Sequence, residues 1–506
     1  MSTNESGTQT LMRRHLVVVH PSRPAVLVER SPAGVLRLPF QDEPDGDPRQ
    51  VGAIAGRLGT GLELASLGEF GAWWPEPDRA VDGIESEYLM LCEFREPPAE
   101  AELERYDWST SEGDVELHPE LEEALAELFR WLADPATPDG DSQIALLPPH
   151  CLPGATAALD RVLRGALMPE PTAGSGSAPT PYSGLSGFEQ LQAWVLSNVW
   201  LSDGEVAKVT TPLWPQEPAV TELLHTWAPT AVPPVLARGE LSVPGAGRPA
   251  PWMLSRRYRP ASPEREPASA AVLEALARLQ AIAVGREHEL LQAGAPERGP
   301  LTVAGELGIL WEEAARAGLS AAELSQLPRL EEWLVRRLRA LAAVAPSLLT
   351  HGDFHPGNAL DTLDMVPELR PGEAHSGRSG TGTGMHGPRT VIFDWTDAAL
   401  AWPGVDILTM APHGLSREQR PADLLVVKGK YLNAARAAFG HPDHAELLRA
   451  IEASVDEGLE LALVYHAVSY AHIVRSVPEK QKPFVGSRFL VRSVRQLLEQ
   501  LEKAPA

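Results

Sequence analysis

The sequence holds little that could crosslink it. Only two cysteines, Cys92 and Cys151, occur in 506 residues. Two thiols cannot build a disulfide framework, and they cannot complete a structural zinc site of their own. Long apolar runs are also missing. "HLVVVH" is only strand length, and the polar start "MSTNESGTQTLMRR" has no apolar signal core. The expectation is a reduced, cytoplasmic chain without a membrane span. A positive footprint is absent as well: 44 Lys and Arg stand against 68 Asp and Glu, a formal net charge of -24. That balance argues against binding a nucleic-acid backbone or an anionic membrane surface. An acidic cleft would instead suit a cationic small molecule.

The length calls for two or three domains. Residues 1–165 read as a small α+β domain. His15–His20 and Ala25–Arg30 look like a hairpin around "PSRP". A helix from Pro48 to about Leu58, a strand from about Leu62 and a strand over Ser86–Arg95 follow. The three- and four-residue apolar spacing in "LHPELEEALAELFRWLADP" predicts a helix over Leu117–Pro135. Residues 166–184 read as a Pro-, Gly- and Ser-rich linker. "VWLSDGEVAKVT" predicts a hairpin over Val199–Thr210 with its turn at Asp203–Gly204. A helix should then hold Glu217–Trp227, with Pro218 in its first turn. "PWMLSRRY" reads as a further strand.

From about Ser262 the spacing becomes helical, with Pro328 as a boundary or kink. Residues 371–388 read as a flexible insertion. Leu424–Phe439, Glu446–His472 and Leu490–Leu501 complete the helices expected.

Chemistry concentrates in "LTHGDFHPGNAL", Leu349–Leu360, and "VIFDWTD", Val391–Asp397. Phosphoryl transfer needs a carboxylate beside the accepting hydroxyl, oxygen ligands for magnesium and a cation on the non-reacting phosphates. These stretches offer such groups around glycines that permit tight turns. Taken singly, Asp353, Asn358 and Asp394 could be turn residues. His351, His355 and Asp353 could alternatively be zinc ligands, given a further ligand from elsewhere.

The combination resembles the catalytic signature of the aminoglycoside phosphotransferase-like kinases, a superfamily that includes choline and homoserine kinases. Their His-Gly-Asp-x-His-x-x-Asn pattern is complete as His351, Gly352, Asp353, His355 and Asn358. The apolar strand ending in Asp follows as Ile392, Phe393 and Asp394, and a "P-x-x-D" as Pro403 to Asp406. The resemblance implies that Asp353 is the catalytic carboxylate and that Asn358 and Asp394 are Mg2+ ligands. His351, His355 and Asp406 would support the loop, Asp406 as a cap or clamp. Asp397 is read as structural. It further implies a strand lysine paired with a helix glutamate, met as Lys208 and Glu217. No G-x-G-x-x-G precedes Lys208; Ser197 and Asn198 would cover the phosphates instead. Backbone near Leu254–Arg256 is a candidate for the adenine edge.

The fold expected is therefore α+β: a bilobal protein-kinase-like fold with a small β-rich lobe, 185–260, and a larger helical lobe, 261–506. A separate small domain precedes it. That domain is similar to a Nudix hydrolase in its paired strands and "RLP", yet the helix read at Pro48–Leu58 has no acidic residue. A degenerate Nudix domain and an unrelated α+β domain both remain open.

The function implied is Mg2+-dependent transfer of the ATP γ-phosphate, with GTP as the other donor, to a hydroxyl of a small molecule. A kinase-like regulatory protein with little turnover is the alternative, and a metal-dependent hydrolase a third. Trp311, Trp333, Tyr465 and Tyr470 are candidates to line the acceptor pocket, although each has an ordinary place in a core.

Overall fold

In the computed structural model the described residues are 11–32, 34–44, 64–73, 84–95, 103, 106–135, 144, 147–167, 184–261, 269–363, 389–411, 421–479, 482 and 485–504. The helix expected at Pro48–Leu58, the insertion 371–388 and nearly all of the linker 166–184 lie outside them. The protein is α+β, with small sheets and many helices. It divides into two compact units, one of residues 1–215, 236–255 and 473–485, the other of 216–235, 256–472 and 486–506.

The first unit begins with β1 (Leu11–Val18), β2 (Val26–Arg30), β3 (Leu36–Arg37), β4 (Phe40–Pro44), β5 (Leu64–Trp73), β6 (Ile84–Phe94) and β7 (Tyr106–Ser109). The expected hairpin of the first two strands does not form. Only an isolated bridge, Val19 to Val26, joins their ends. β1 instead runs parallel to β6 and antiparallel to β4 in a sheet ordered β4-β1-β6-β5. Both edges of β1 are thereby occupied, so β2 pairs with β3 and β7 in a second sheet. The unbroken burial of Arg14–Val19 fits a central strand covered on both faces.

Two helices follow, α1 (Pro119–Ala133) and α2 (Ala155–Leu167). A five-stranded sheet ordered β11-β12-β10-β9-β8 comes next, made of β8 (Glu189–Trp194), β9 (Ser197–Leu201), β10 (Glu205–Thr210), β11 (Val235–Leu241) and β12 (Ala250–Arg256). β9 and β10 form the expected hairpin, closed by Ser202 N–H to the Glu205 carbonyl at 2.9 Å. Gln190 ties β8 to β5. Its side-chain oxygen accepts from Ser66 N–H at 2.8 Å, and its nitrogen donates to the Ser66 carbonyl at 2.7 Å.

The second unit opens with α3, Glu217–Trp227, at the bounds expected and with Pro218 in its first turn. Helices α4 (Ser269–Ala283), α5 (Glu287–Gln292), α6 (Pro300–Arg316) and α7 (Ala321–Ala342) follow. Ser320 and Glu323 cap α7 reciprocally. Pro328 is no boundary, since α7 runs through it. Pro328 and Leu324 are both exposed, so the Leu324 carbonyl that loses its partner faces water.

Short strands β13 (Leu348–Thr350), β14 (Ala359–Thr362), β15 (Arg389–Ile392) and β16 (Ala399–Ala401) lead to α8 (Val405–Met410), α9 (Pro421–Ala438), α10 (Ala445–Glu460), α11 (Ala462–Ser476) and α12 (Ser487–Lys503). The single helix expected over Glu446–His472 is thus two. They break at Leu461, whose carbonyl holds Tyr465 N–H at a stretched 3.4 Å. The core of this unit joins α3, α4, α8, α9 and α10 to Leu348, Leu349, Phe354, Ile392 and Trp395, so the polar loops rest directly on packed side chains. Among the described residues no helix is long and apolar enough to cross a membrane.

Candidate active site

The two polar stretches meet through one short ladder. In the β14–β15 pair, Ala359 lies opposite Ile392 and Thr362 opposite Arg389. Continuing past Ala359 sets Asn358 beside Phe393, whose N–H donates to the Asn358 carbonyl at 3.0 Å. Asp394 is the next residue. Register therefore brings Asn358 and Asp394 to neighbouring backbone positions.

Asn358 is buried, and its amide nitrogen donates to the Asp353 carbonyl at 2.9 Å. That bond commits the nitrogen and turns the amide oxygen into the end available to a cation. Asp394 is the one non-glycine residue with positive φ among those described, at φ 65 and ψ 59. Aspartate tolerates this left-handed conformation better than most residues. Thr396 Oγ1 donates to Asp394 Oδ1 at 2.5 Å.

Asp406, in the first turn of α8, clamps the loop that carries Asp353. Its Oδ2 accepts His351 N–H at 3.0 Å, and its Oδ1 accepts Gly352 N–H at 2.9 Å. Burial pushes the Asp406 carboxyl up from its ordinary range, opposed by His351 and by these two N–H groups. Gly352 sits at φ 86, and a Cβ there would lie 2.3 Å from the Asp397 carbonyl oxygen, so the loop admits only glycine.

His351 bridges the two stretches. Its Nε2 lies 2.9 Å from the Phe393 carbonyl, which can only accept, so Nε2 carries the proton. The ring lies between Phe354 and Trp395, with centroids at 5.5 and 4.7 Å. Asp353 itself projects from this pinned loop with about half of its side chain (49%) exposed. His355 Nδ1 accepts Gly357 N–H at 3.1 Å, while its Nε2 lies 3.8 Å from Asp353 Oδ2.

Among the described residues no group of three or more His, Cys, Asp or Glu is placed to hold a metal ion. His351 and His355 each spend one ring nitrogen on a backbone group, Nε2 and Nδ1 respectively. A magnesium ion asks for something else: a few oxygen ligands, water and phosphate. The oxygens of Asn358 and Asp394 suit that donor set.

Lys208 lies in β10 of the first unit, and Glu217 opens α3 of the second. Both are buried, and neither is without a partner. Burial removes the reading of Lys208 as a solvent-facing strand residue. Ser197 Oγ lies 3.1 Å from Trp194 Nε1, and buried Asn198 accepts from Gln190 at 2.8 Å. These two side chains are thus engaged inside the first unit.

Several supporting residues carried no local signature. Gln280, on α4, donates to the Leu349 carbonyl at 2.9 Å and accepts from Tyr431 at 3.0 Å, fixing β13 just before His351. Its only signal was a glutamine inside the apolar stripe "LARLQAIAV". Gln216 donates to the Thr396 carbonyl at 3.1 Å. His466 places Nε2 3.2 Å from the Val405 carbonyl at the start of α8, and burial holds its pKa at about 4. Of the aromatic candidates, Trp311 donates to Glu331, Trp333 lies under Arg337 and Tyr465 packs edge-on to Trp402.

No curated protein matches the chain. Solved structures similar to it include a microcompartment-associated aminopropanol kinase, at 15% identity and TM-score 0.40, covering 61% of this chain and 89% of that one. An ethanolamine kinase from Plasmodium vivax is similar at 11% identity and TM-score 0.39, covering 62% and 81%. A macrolide 2'-phosphotransferase from Brachybacterium faecium is similar at 17% identity and TM-score 0.34, covering 65% and 97%. Residues 198–364, which run from Asn198 past the loop carrying Asp353 and Asn358, match the phosphotransferase enzyme family, APH.

Proposed function

We propose that this protein transfers the γ-phosphate of ATP, or of GTP, to a hydroxyl of a small molecule in a Mg2+-dependent reaction. The observation that carries the reading is a half-exposed Asp353 on a loop whose backbone is pinned by buried Asp406. The family match over residues 198–364 supports phosphotransfer as the reaction class.

From its position Asp353 orients the acceptor hydroxyl and takes its proton as the oxygen bonds to phosphorus. The bond from the γ-phosphorus to the bridging oxygen breaks, and its electron pair leaves with the nucleoside diphosphate. Asn358 and Asp394 would hold the magnesium, which when bound compensates charge on the phosphates. Lys208, oriented by Glu217, would hold the non-reacting phosphates. Asp406 and His351 act through the loop by fixing where Asp353 stands. Positioning and charge compensation supply the rate; no covalent enzyme intermediate is needed.

The test is phosphate transfer with Mg2+ across hydroxyl-bearing metabolites, sugars and aminoglycosides, beside Asp353→Asn. Acceptor-dependent product should fall about 10²- to 10⁴-fold in the variant with nucleotide binding retained. Well-folded protein that binds neither ATP nor GTP with Mg2+ would end this reading. Nucleotide binding without product from any acceptor would favour a regulatory protein built on a kinase frame.

A further inference from the structure

A cleft of about 560 Å³ lies within the first unit, built entirely from residues of that unit. Its volume falls in the range of small-molecule sites, roughly 300–1,000 Å³. The loop after β1, the end of β6, the last turn of α1 and the first three turns of α2 enclose it. Phe94, Trp131 and Leu185 supply apolar walls.

Its charge runs against that of the chain. Three guanidinium groups, Arg23, Arg95 and Arg164, line it in a protein whose formal net charge is -24. Two carboxylates also line it, and both are engaged by the protein. Glu93 accepts Gly154 N–H at 2.8 Å and Thr156 N–H at 2.5 Å. Asp160 accepts Arg164 Nε and Leu185 N–H, each at 2.7 Å. Burial also pushes the Glu93 carboxyl up, toward its neutral form.

The exposed Arg23 side chain makes no hydrogen bond or ion pair with the described residues. The indole N–H of Trp131, in a side chain only 5% exposed, has no partner among the described residues.

We propose that this cleft is a binding site for a small organic anion, a flat apolar body carrying a phosphate or carboxylate head. Arg23 meets the head, and the apolar walls meet the body. This site is distinct from the loops carrying Asp353, Asn358 and Asp394.

The test measures binding of phenyl phosphate, benzoate and phenyltrimethylammonium to the full chain by calorimetry. The last probe keeps the ring and reverses the charge. Three variants report on the cleft: Arg23→Ala removes the exposed cation, Trp131→Phe keeps the ring and removes the N–H, and Ala157→Trp fills the space from an exposed position on α2. At least one anion should bind at millimolar concentration or better, with the cation showing no heat. The ratio of the two anions names the head group. Arg23→Ala and Ala157→Trp should each weaken binding by about tenfold or more. Equal binding of cation and anion, no binding of either anion, or binding unchanged in both variants would overturn the proposal. Phenyl phosphate bound at the catalytic loops would survive all three substitutions and so counts among the overturning results.

Discussion

Asp406 and Glu93 are the same device used in two places. Each is a carboxylate, fully buried for Asp406 and partly buried for Glu93, that accepts two backbone N–H groups, from His351 and Gly352 in one case and from Gly154 and Thr156 in the other. Each holds a glycine at positive φ, 86 for Gly352 and 91 for Gly154. Burial raises both carboxyl groups. The difference lies in what the held segment carries. Asp406 fixes a loop whose next residue is Asp353, whereas Glu93 fixes the start of α2 beside an arginine-lined cleft. A buried carboxylate on two amides is thus an anchoring element, and function comes from what it anchors.

Removing the anchor should separate the two uses most strongly. Asp406→Ala leaves two buried N–H groups unpaired, at about 1–3 kcal/mol each. Denaturant unfolding should register that loss, and phosphotransfer should fall by two orders of magnitude or more. Glu93→Ala should cost a similar amount of stability yet leave kcat within about twofold, because no proposed catalytic group hangs on it. Equal losses of activity in the two variants would break the distinction.

Acid should expose a second parallel. His150 in the first unit and His466 in the second are both buried beside a backbone carbonyl, and burial lowers each pKa to about 4. A depressed histidine pKa means that the unfolded chain binds the proton first. Stability contributed by each is intact above pH 6.5 and is lost as pH falls toward 4, on the order of 3 kcal/mol apiece. The raised carboxyl groups of Asp406 and Glu93 act in the opposite sense, favouring the folded state at low pH and losing that benefit as pH rises. Unfolding followed from pH 7 to pH 4 should therefore show a steep acid-side decline. Replacing either histidine by Gln should flatten it.

The smallest effect concerns the two glycines. Gly154→Ala adds a Cβ that meets nothing nearer than Val243 at 4.0 Å, so only the left-handed backbone is penalised, roughly 1–2 kcal/mol. Gly352→Ala carries that penalty plus a Cβ only 2.3 Å from the Asp397 carbonyl oxygen. The excess destabilisation of the second over the first isolates the cost of crowding. A melting comparison in which the two variants are equal would show that the loop relaxes freely.

Legibility in the sequence followed distance along the chain. His351, Asp353, Asn358 and Asp394 announce themselves because their chemistry is packed into two short stretches. The hairpin of β9 and β10 and the bounds of α3 were readable for the same reason: a turn pair and a proline-led helix start are local signals. The parallel pairing of β1 with β6 was not. Nothing near Leu16 reveals that its neighbours will be Pro39 and Met90, and the nearby β2 offered a cheaper-looking partner. Glu93 and Gln190 escaped notice because their amide partners lie 61 and 124 residues away. Pro328 misled in the other direction, since an exposed helix face tolerates a lost hydrogen bond that a buried one would not.

The pairing of Thr362 with Arg389 has an engineering consequence. These residues close the β14–β15 ladder at the end away from Asn358 and Asp394, so whatever connects them starts and finishes on paired neighbours. A two-residue turn or an inserted reporter domain placed between Thr362 and Arg389 should keep that register, and retained phosphotransfer in the exchanged chain would check it. Loop-closure entropy varies by only about 0.6 kcal/mol for each doubling of length. The chain thus offers a port a few residues from its proposed metal ligands, where a sensor could be wired to the site without touching a ligand.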